Sequence, residues 1–373
     1  MESRRADDAL YYLLHAYAIA PSDVSQPEAL NYSDALRIHS SQYIESLHTA
    51  EVLARIFAVD PSDVPVDEVL RTLRLACGGT LLGVRQTLGD RRPVLNLLGG
   101  FHHAAPDRGA GFCALNDLSI AIAAVRSDGF RGQVGIIDLD FHPPDGTAEC
   151  LKNDRKVWIG SISGADWGAL EGVDEVCLPA RTTDAVYLAA LRELLSRMPM
   201  VDLALVIAGG DVLTGDHLGN FDLSLGGIAE RDLCVARHLG TTPQVWVPGG
   251  GYSPHTWKIV AESGLVLAFD RLIPVESKYD PLAARMSKVA RSLRPESLGS
   301  DALMSDVDLA EALGMQRPRA PRLLGFYTAE GLEYALENYR LLPMIRRLGY
   351  DRLRIEIEAG GAGDRSRLLG IDL

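Results

Sequence analysis

Five short apolar runs limit what this chain can fold into: PVLNLLGG (93–100), QVGIIDLDFH (133–142), KVWIGSIS (156–163), LALVIAGGD (203–211) and QVWVPGGGY (244–252). Each ends in glycine or a polar cluster, and alternation within them is weak, as expected of parallel strands buried on both faces. Helix-patterned segments separate them, among them NDLSIAIAAVRS (116–127), AVYLAALRELLSRM (185–198) and AERDLCVARHLG (229–240). Upstream, from Ala6 to Leu88, apolar residues recur at three- and four-residue spacing in SDALRIHSSQYIESL and VDEVLRTLRLACGGTLLGVRQTL, which marks packing helices. The pattern predicts an α/β fold: a doubly wound, mostly parallel sheet with helices on both faces. In such sheets ligands bind beyond the carboxyl ends of the strands, which is where the polar clusters fall.

The rest of the 373-residue chain reads as an appendage. A catalytic domain is expected over 1–290, then a helical or linker segment over 291–322, rich in Arg and Pro near its end. A small α+β unit over 323–373 follows. Its pieces are a strand RLLGFY, a helix capped by Thr328, and the alternating strand RLRIEIEA, with RLLGIDL pairing back as a hairpin. Pairing of the alternating strand with a second copy would make a homodimer.

A formal charge of −13 argues against nucleic-acid binding, which needs clustered Lys and Arg, and is compatible with a cationic substrate. Cys77, Cys113, Cys150, Cys177 and Cys234 are far apart and odd in number, so a reducing, cytoplasmic compartment is expected. Arg4 and Arg5 precede the apolar LYYLLHAYAIA, but Asp7, Asp8 and His15 spoil an export leader, and the segment reads as an amphipathic first helix. No run is long enough for a membrane-spanning helix, so no membrane partner is expected.

Chemistry concentrates in IIDLDFHPPDGT (136–147). On an extended strand Asp138, Asp140 and His142 share one face, where three ionisable groups repel or are desolvated unless a cation compensates them. Asp and His suit Zn²⁺ or another borderline divalent ion. Asp211, at the end of the 203–211 run, is the natural third ligand. Metal-assisted attack of water on a carbonyl also needs a base to take a proton and an acid to return one to the leaving amine. The adjacent His102 and His103 allow that division of labour, and Asp138 and Asp145 are spare carboxylates that can orient their rings. Tyr252, after three glycines, can donate a hydrogen bond to the developing oxyanion.

These residues lie in GGFHHAAPDRGAGFCALND, DLDFHPPDGT, GGDVLTGDHLGNFDLS and GGGYSPHTWKIV, and with them the chain resembles the zinc-dependent histone deacetylase family, of arginase/deacetylase fold, closest to its bacterial and class IV branches. The resemblance covers roughly the first 270 residues. It implies Asp140, His142 and Asp211 as zinc ligands, with Fe²⁺ the alternative ion, and His103 as general base and acid beside His102. It places Asp138 and Asp145 behind the two histidines and makes Tyr252 the carbonyl-polarising donor. It further implies a structural K⁺ on Asp138, Asp140, His142, Ser161 and Ile162, and a substrate tunnel formed by Gly111, Phe112, Gly250 and Gly251. Trp167 stands in the shortened loop GADWGALEG as a replacement tunnel wall, and Leu218 stands at the mouth where an acidic gatekeeper would mark a polyamine enzyme. Asp63 is matched to a carboxylate that grips substrate backbone. The chain departs from the pattern at Pro144, where the family has glycine, and its customary first strand and His-Pro segment before the first helix are not recognisable.

The implied activity is a metal-dependent amidohydrolase that removes acetyl or another short acyl group from lysine side chains of a protein or peptide. Three alternatives stand beside it: an acetylpolyamine amidohydrolase, a binding module for acyl-lysine without turnover, and arginase-like ureohydrolysis. The last needs a second carboxylate at the next same-face position after Asp211, which VLTGD does not supply there.

Overall fold

The computed structural model describes residues 5–16, 23–275, 326–327, 352–357 and 368–372. The chain divides into two compact units, Met1–Val275 and Glu276–Leu373. The expected boundary near 290, the linker over 291–322 and the helix after Thr328 lie outside the described residues.

In the first unit, six parallel strands form one open sheet: β1 (Val94–Leu95), β2 (Val134–Asp138), β3 (Val157–Ser163), β4 (Val173–Cys177), β5 (Leu203–Ile207) and β6 (Gln244–Val247), in the order β1-β6-β5-β2-β3-β4. Side chains of β5 alternate between two apolar layers. Leu203, Leu205 and Ile207 face the layer that holds α5 (Val66–Asp90) and α6 (Asp117–Ser127), whereas Ala204 and Val206 face the layer of α8 (Asp184–Arg197) and α9 (Leu225–Leu239). All five are buried, so each large aliphatic side chain contributes about 1.5–3 kcal/mol, which is why the run shows no polar phase. The helices on both faces match the doubly wound expectation.

Local signals set the helix starts. Asn116 accepts the Ser119 N–H at 3.0 Å to cap α6, and Ser224 accepts the Gly227 N–H at 2.9 Å to cap α9. The stretch SDALRIHSSQYIESL is two short helices rather than one, α2 (Tyr32–Ala35) and α3 (Ser41–Ser46), because Ser40 opens a new cap by accepting the Tyr43 N–H, and α4 (Ala50–Phe57) follows. The buried His39 sits in the break. The first helix, α1 (Arg5–Ala16), lies on α10 (Thr256–Phe269), with the Tyr12 and Trp257 rings 5.6 Å apart. No helix among the described residues is long and apolar enough to cross a membrane.

From the centre of the sheet the chain runs outward from β2 through β3 to β4, then returns to place β5 on the other side of β2. The gap between the carboxyl ends of β2 and β5 is therefore the switch point at which open α/β sheets bind ligands.

The second unit contributes a three-stranded sheet, β7 (Phe326–Tyr327), β8 (Arg352–Ile357) and β9 (Leu368–Asp372), with β8 antiparallel to β9 as a hairpin and parallel to β7. β8 is the central strand, not an edge. This corrects the expectation that RLRIEIEA offers a free edge to a second copy.

Candidate active site

Strand β2 ends at Asp138, so Asp140 and His142 stand on the loop after it and not, as the alternation implied, on a continuing strand face. The loop brings their side chains together by turning. Asp138 accepts the Asp140 N–H at 3.1 Å, and Asp140 accepts the His142 N–H at 3.0 Å. Across the switch point, Asp211 accepts the Phe141 N–H at 2.9 Å, which ties the end of β5 to this loop. His142 Nδ1 then faces Asp140 Oδ1 and Asp211 Oδ2, each at 3.2 Å. Gly250 closes the far side by donating its N–H to Asp140 Oδ2 at 2.6 Å, and a Cβ there would collide with both carboxylates.

One atom each from Asp140, His142 and Asp211 lies within 4.8 Å of the others, a spacing that suits a single ion. Burial first, and then the facing Asp140 carboxylate, push the Asp211 carboxyl up to about 7. Two buried carboxylates held against each other fit a divalent cation, and one imidazole with two carboxylates is a donor set suited to zinc or ferrous iron. Behind them, Ser161 on β3 pairs in register with Asp138, next to the buried Ile162, and the buried Ser161 Oγ has no hydrogen-bond partner. Such a buried, orphaned oxygen has the polarity to accept or coordinate a bound partner, an ion or a water.

The histidine pair follows β1. Its loop is held by the buried Asp117, which accepts from the N–H groups of Gly100 and Phe101 at 3.1 and 2.8 Å. His102 Nδ1 meets Asp138 Oδ2 at 2.8 Å, and His103 Nδ1 meets Asp145 Oδ1 at 2.6 Å. Both carboxylates accept a ring N–H, which leaves each Nε2 as the other, reactive position. Burial lowers the His102 pKa, but the Asp138 and Asp140 charges outweigh it and raise the ring to about 9. His103 moves the other way: burial and then the neighbouring His102 charge lower it, against the pull of Asp145. The surrounding carboxylates thus favour the protonated form of His102, whereas burial favours the neutral form of His103. Pro144 keeps this arrangement, because it caps α7 (Asp145–Leu151), accepts the Ala148 N–H at 2.9 Å and leaves Asp145 at the first helical position.

Tyr252 lines the same cavity, a space of about 50 Å³ that also meets Arg5, Phe101, His103, Phe112 and His142. Burial, then the Asp140 and Asp211 charges, raise the phenol far above its ordinary range, so it remains a donor. Gly111, Phe112 and Gly250, three of the residues named for a tunnel, line the cavity, and Phe112 lies 5.6 Å from the Tyr252 ring. Gly251, Trp167 and Leu218 are not part of its lining. Trp167 is 52% exposed and stands over the histidines, 5.4 Å from His103 and 6.0 Å from His142, while Leu218 is exposed nearer solvent. Asp63 is exposed in a single 3₁₀ turn.

Sequence reasoning missed Arg5. Its guanidinium is buried and donates to the Gly249 carbonyl at 2.7 Å and the Gly251 carbonyl at 3.4 Å. The only signal was a basic residue where an amphipathic helix starts. A larger open groove of about 660 Å³, lined by Arg37, Arg126, Arg131 and Lys156 among others, lies away from these groups. Its Arg126 and Arg131 bond the carbonyls of Arg126, Phe130 and Gly132 at the end of α6, which accounts for their charge.

Fold and site together define an open-sheet α/β protein with an Asp–His–Asp cluster that could hold a metal ion, beside a carboxylate-backed histidine pair. The histone deacetylase domain matches residues 1–265, and the chain belongs to that family of hydrolases. It is 33% identical to Histone deacetylase 2 of Arabidopsis thaliana over 256 residues, 64% of this chain and 66% of that one, and so spans just under two thirds of that relative. Among solved structures, an HDAC homologue complexed with SAHA superposes with a TM-score of 0.62 at 21% identity, covering 89% of this chain and 92% of that one. Acetylpolyamine aminohydrolase from Burkholderia pseudomallei superposes with a TM-score of 0.55 at 20% identity, covering 71% and 89%. At such identities the two structures speak for the fold alone.

Proposed function

We propose that this protein is a metal-dependent amidohydrolase that removes acetyl, or another short acyl group, from lysine side chains. The carrying observation is the convergence of His103, Asp140, His142 and Tyr252 on one small cavity, with Asp211 completing the cluster beside Asp140 and His142. Asp140, His142 and Asp211 would hold Zn²⁺, with Fe²⁺ the alternative. Such an ion supplies Lewis acidity to water and to the scissile carbonyl. His103 Nε2 takes a proton from the attacking water while Nδ1–H stays on Asp145. Tyr252 donates its phenol proton in a hydrogen bond to the carbonyl oxygen as charge develops there. The carbon–oxygen bond forms, the carbon–nitrogen bond breaks, and His103 returns its proton to the departing amine, leaving a carboxylate and a free lysine. Burial, and then the neighbouring His102 ring held by Asp138, lower the His103 pKa, so the proton leaves it readily. The 50 Å³ space has room for a two-carbon group, which supports a short acyl chain.

Structural K⁺ is assigned to Asp138, Asp140, His142, Ser161 and Ile162 on the orphaned Ser161 Oγ. Trp167 is read as the second wall for the lysine stem, outside the cavity proper. The substrate is an acylated lysine in a peptide or protein, and five unpaired cysteines support a cytoplasmic setting. The test is to incubate the purified protein with Zn²⁺ and an acetyl-lysine peptide beside His103→Ala and Tyr252→Phe. Loss of turnover in both is expected; activity untouched by both would remove the mechanism. A second reading, acetylpolyamine hydrolysis, draws on the charge of −13 and is opposed by Leu218 at the gatekeeper position. Competition between acetylspermidine and the peptide separates the two. Tight hydroxamate binding without hydrolysis of either substrate would favour the silent binding module.

A further inference from the structure

Three consecutive glycines precede Tyr252, with Gly249 and Gly251 at φ values of 57° and 137°, so the backbone leading to the phenol has no intrinsic stiffness. Something else must fix it. Asp216, five residues beyond the metal-ligating Asp211, has a buried carboxylate. Its Oδ1 accepts the Leu218 and Gly219 N–H groups at 2.9 and 3.2 Å, an Asx turn that folds the mouth loop back on itself. Its Oδ2 accepts the Tyr252 N–H at 2.7 Å. One carboxylate thus takes three backbone donors from two loops 36 residues apart. Gly219, three residues after Asp216, packs so closely on the Asp211 carbonyl that a Cβ would collide with it.

We propose that Asp216 is a positioning residue that joins the Tyr252 phenol, the Leu218 mouth and the metal-ligating Asp211 into one rigid body. It touches no reacting atom. Its effect is to preorganise the oxyanion donor, since a donor on a free glycine loop would have to be ordered during each turnover. Arg5 holds the carbonyls of the same loop from the other side, but it reaches Gly249 and Gly251 and not the Tyr252 amide. This inference rests on the hydrolase reading, in which Tyr252 polarises the carbonyl.

The test is a double-mutant cycle with Asp216→Asn and Tyr252→Phe in the zinc-loaded full chain on an acetyl-lysine peptide. Asn keeps the shape but turns an N–H₂ toward one of the backbone donors. Tyr252→Phe should lower kcat on the order of 100-fold. Asp216→Asn should lower kcat about tenfold with KM within about twofold, and should add less than about twofold in the Tyr252→Phe background. A general loosening of the fold would instead multiply with loss of the phenol, so additive losses overturn the proposal. Hydrogen exchange at the Tyr252 amide gives a readout free of turnover: Asp216→Asn should speed it about tenfold or more while β5 stays protected. Unchanged exchange also overturns it. Should Asn not fold, Asp216→Ser keeps an oxygen for the local turn but is too short for Tyr252, and the same two outcomes apply. A wild-type protein without turnover on any acylated amine defeats the hydrolase reading, and the exchange measurement still decides whether Asp216 clamps the loop.

Discussion

Acid should attack this fold first at His39. The ring is 2% exposed, and both nitrogens are committed: Nδ1 donates to the Ala105 carbonyl at 2.9 Å and Nε2 accepts the Asn116 N–H at 3.0 Å. Only the neutral tautomer satisfies both bonds, because a second ring proton would point at the Asn116 N–H. Burial, the largest influence, lowers the pKa to about 4 from the ordinary 6.5. At 1.36 kcal/mol for each tenfold change in proton affinity, that difference amounts to about 3 kcal/mol. Between pH 6.5 and 4 the unfolded chain binds the proton and the folded one resists it. The contribution is therefore complete above pH 6.5 and is lost as pH falls through 4. His39→Gln, neutral at every pH, removes this dependence. The assay is urea unfolding followed by tryptophan fluorescence at pH 7 and pH 4, since all four tryptophans lie between residues 158 and 257. The wild-type stability minus that of the variant should fall by about 3 kcal/mol between the two pH values. Parallel pH dependences for the two proteins would refute the reasoning.

Three further outcomes follow from other buried groups. Asp211→Asn should abolish tight zinc binding in a metal titration, yet raise the stability of the metal-free protein by about 1–3 kcal/mol, because it removes one of two facing carboxylates. Arg231 is fully buried, donates to Asp232 at 2.8 Å and to the Gly209 carbonyl at 2.7 Å, so Arg231→Met strands a buried anion and should cost about 3–5 kcal/mol by the same fluorescence assay. Glu262 is raised to about 7, chiefly by burial, so ionising it opposes folding as pH rises from 4.5 through 7; Glu262→Gln should raise the thermal midpoint at pH 8 and leave it nearly unchanged at pH 4.

The buried strands were legible because a strand covered on both faces tolerates little but apolar residues, and β2, β3, β5 and β6 carry that mark, while the half-buried edge strand β1 was read from its apolar run alone. β4 was not, since VDEVC lies at the sheet edge, half-buried, where Asp174 pairs with Arg197 and Glu175 accepts from Ser163, so its acidic residues break the apolar run. The histidines, their carboxylates and the metal ligands were named from their spacing and their family resemblance. The turn that actually gathers Asp140 and His142 was misread as continued strand, because alternation in sequence does not distinguish a strand from a loop held by its own carboxylates. Asp216 gave no signal of its role: an aspartate after glycine in a loop is an ordinary turn residue until its second oxygen finds a partner.

By itself the sequence determined which groups are present, the strands that bury on both faces, and the carboxyl-end loops that carry the ionisable residues. Those facts are local, set by side-chain polarity and backbone preference over a few residues. Only the tertiary structure decided which loops meet: Asp211 against His142 across the β2–β5 switch point, Arg5 against Gly249 from 244 residues away, and Asp216 against the Tyr252 amide. Such pairings depend on the order of strands in the sheet, which follows from packing both faces at once and is written in no single segment of the chain.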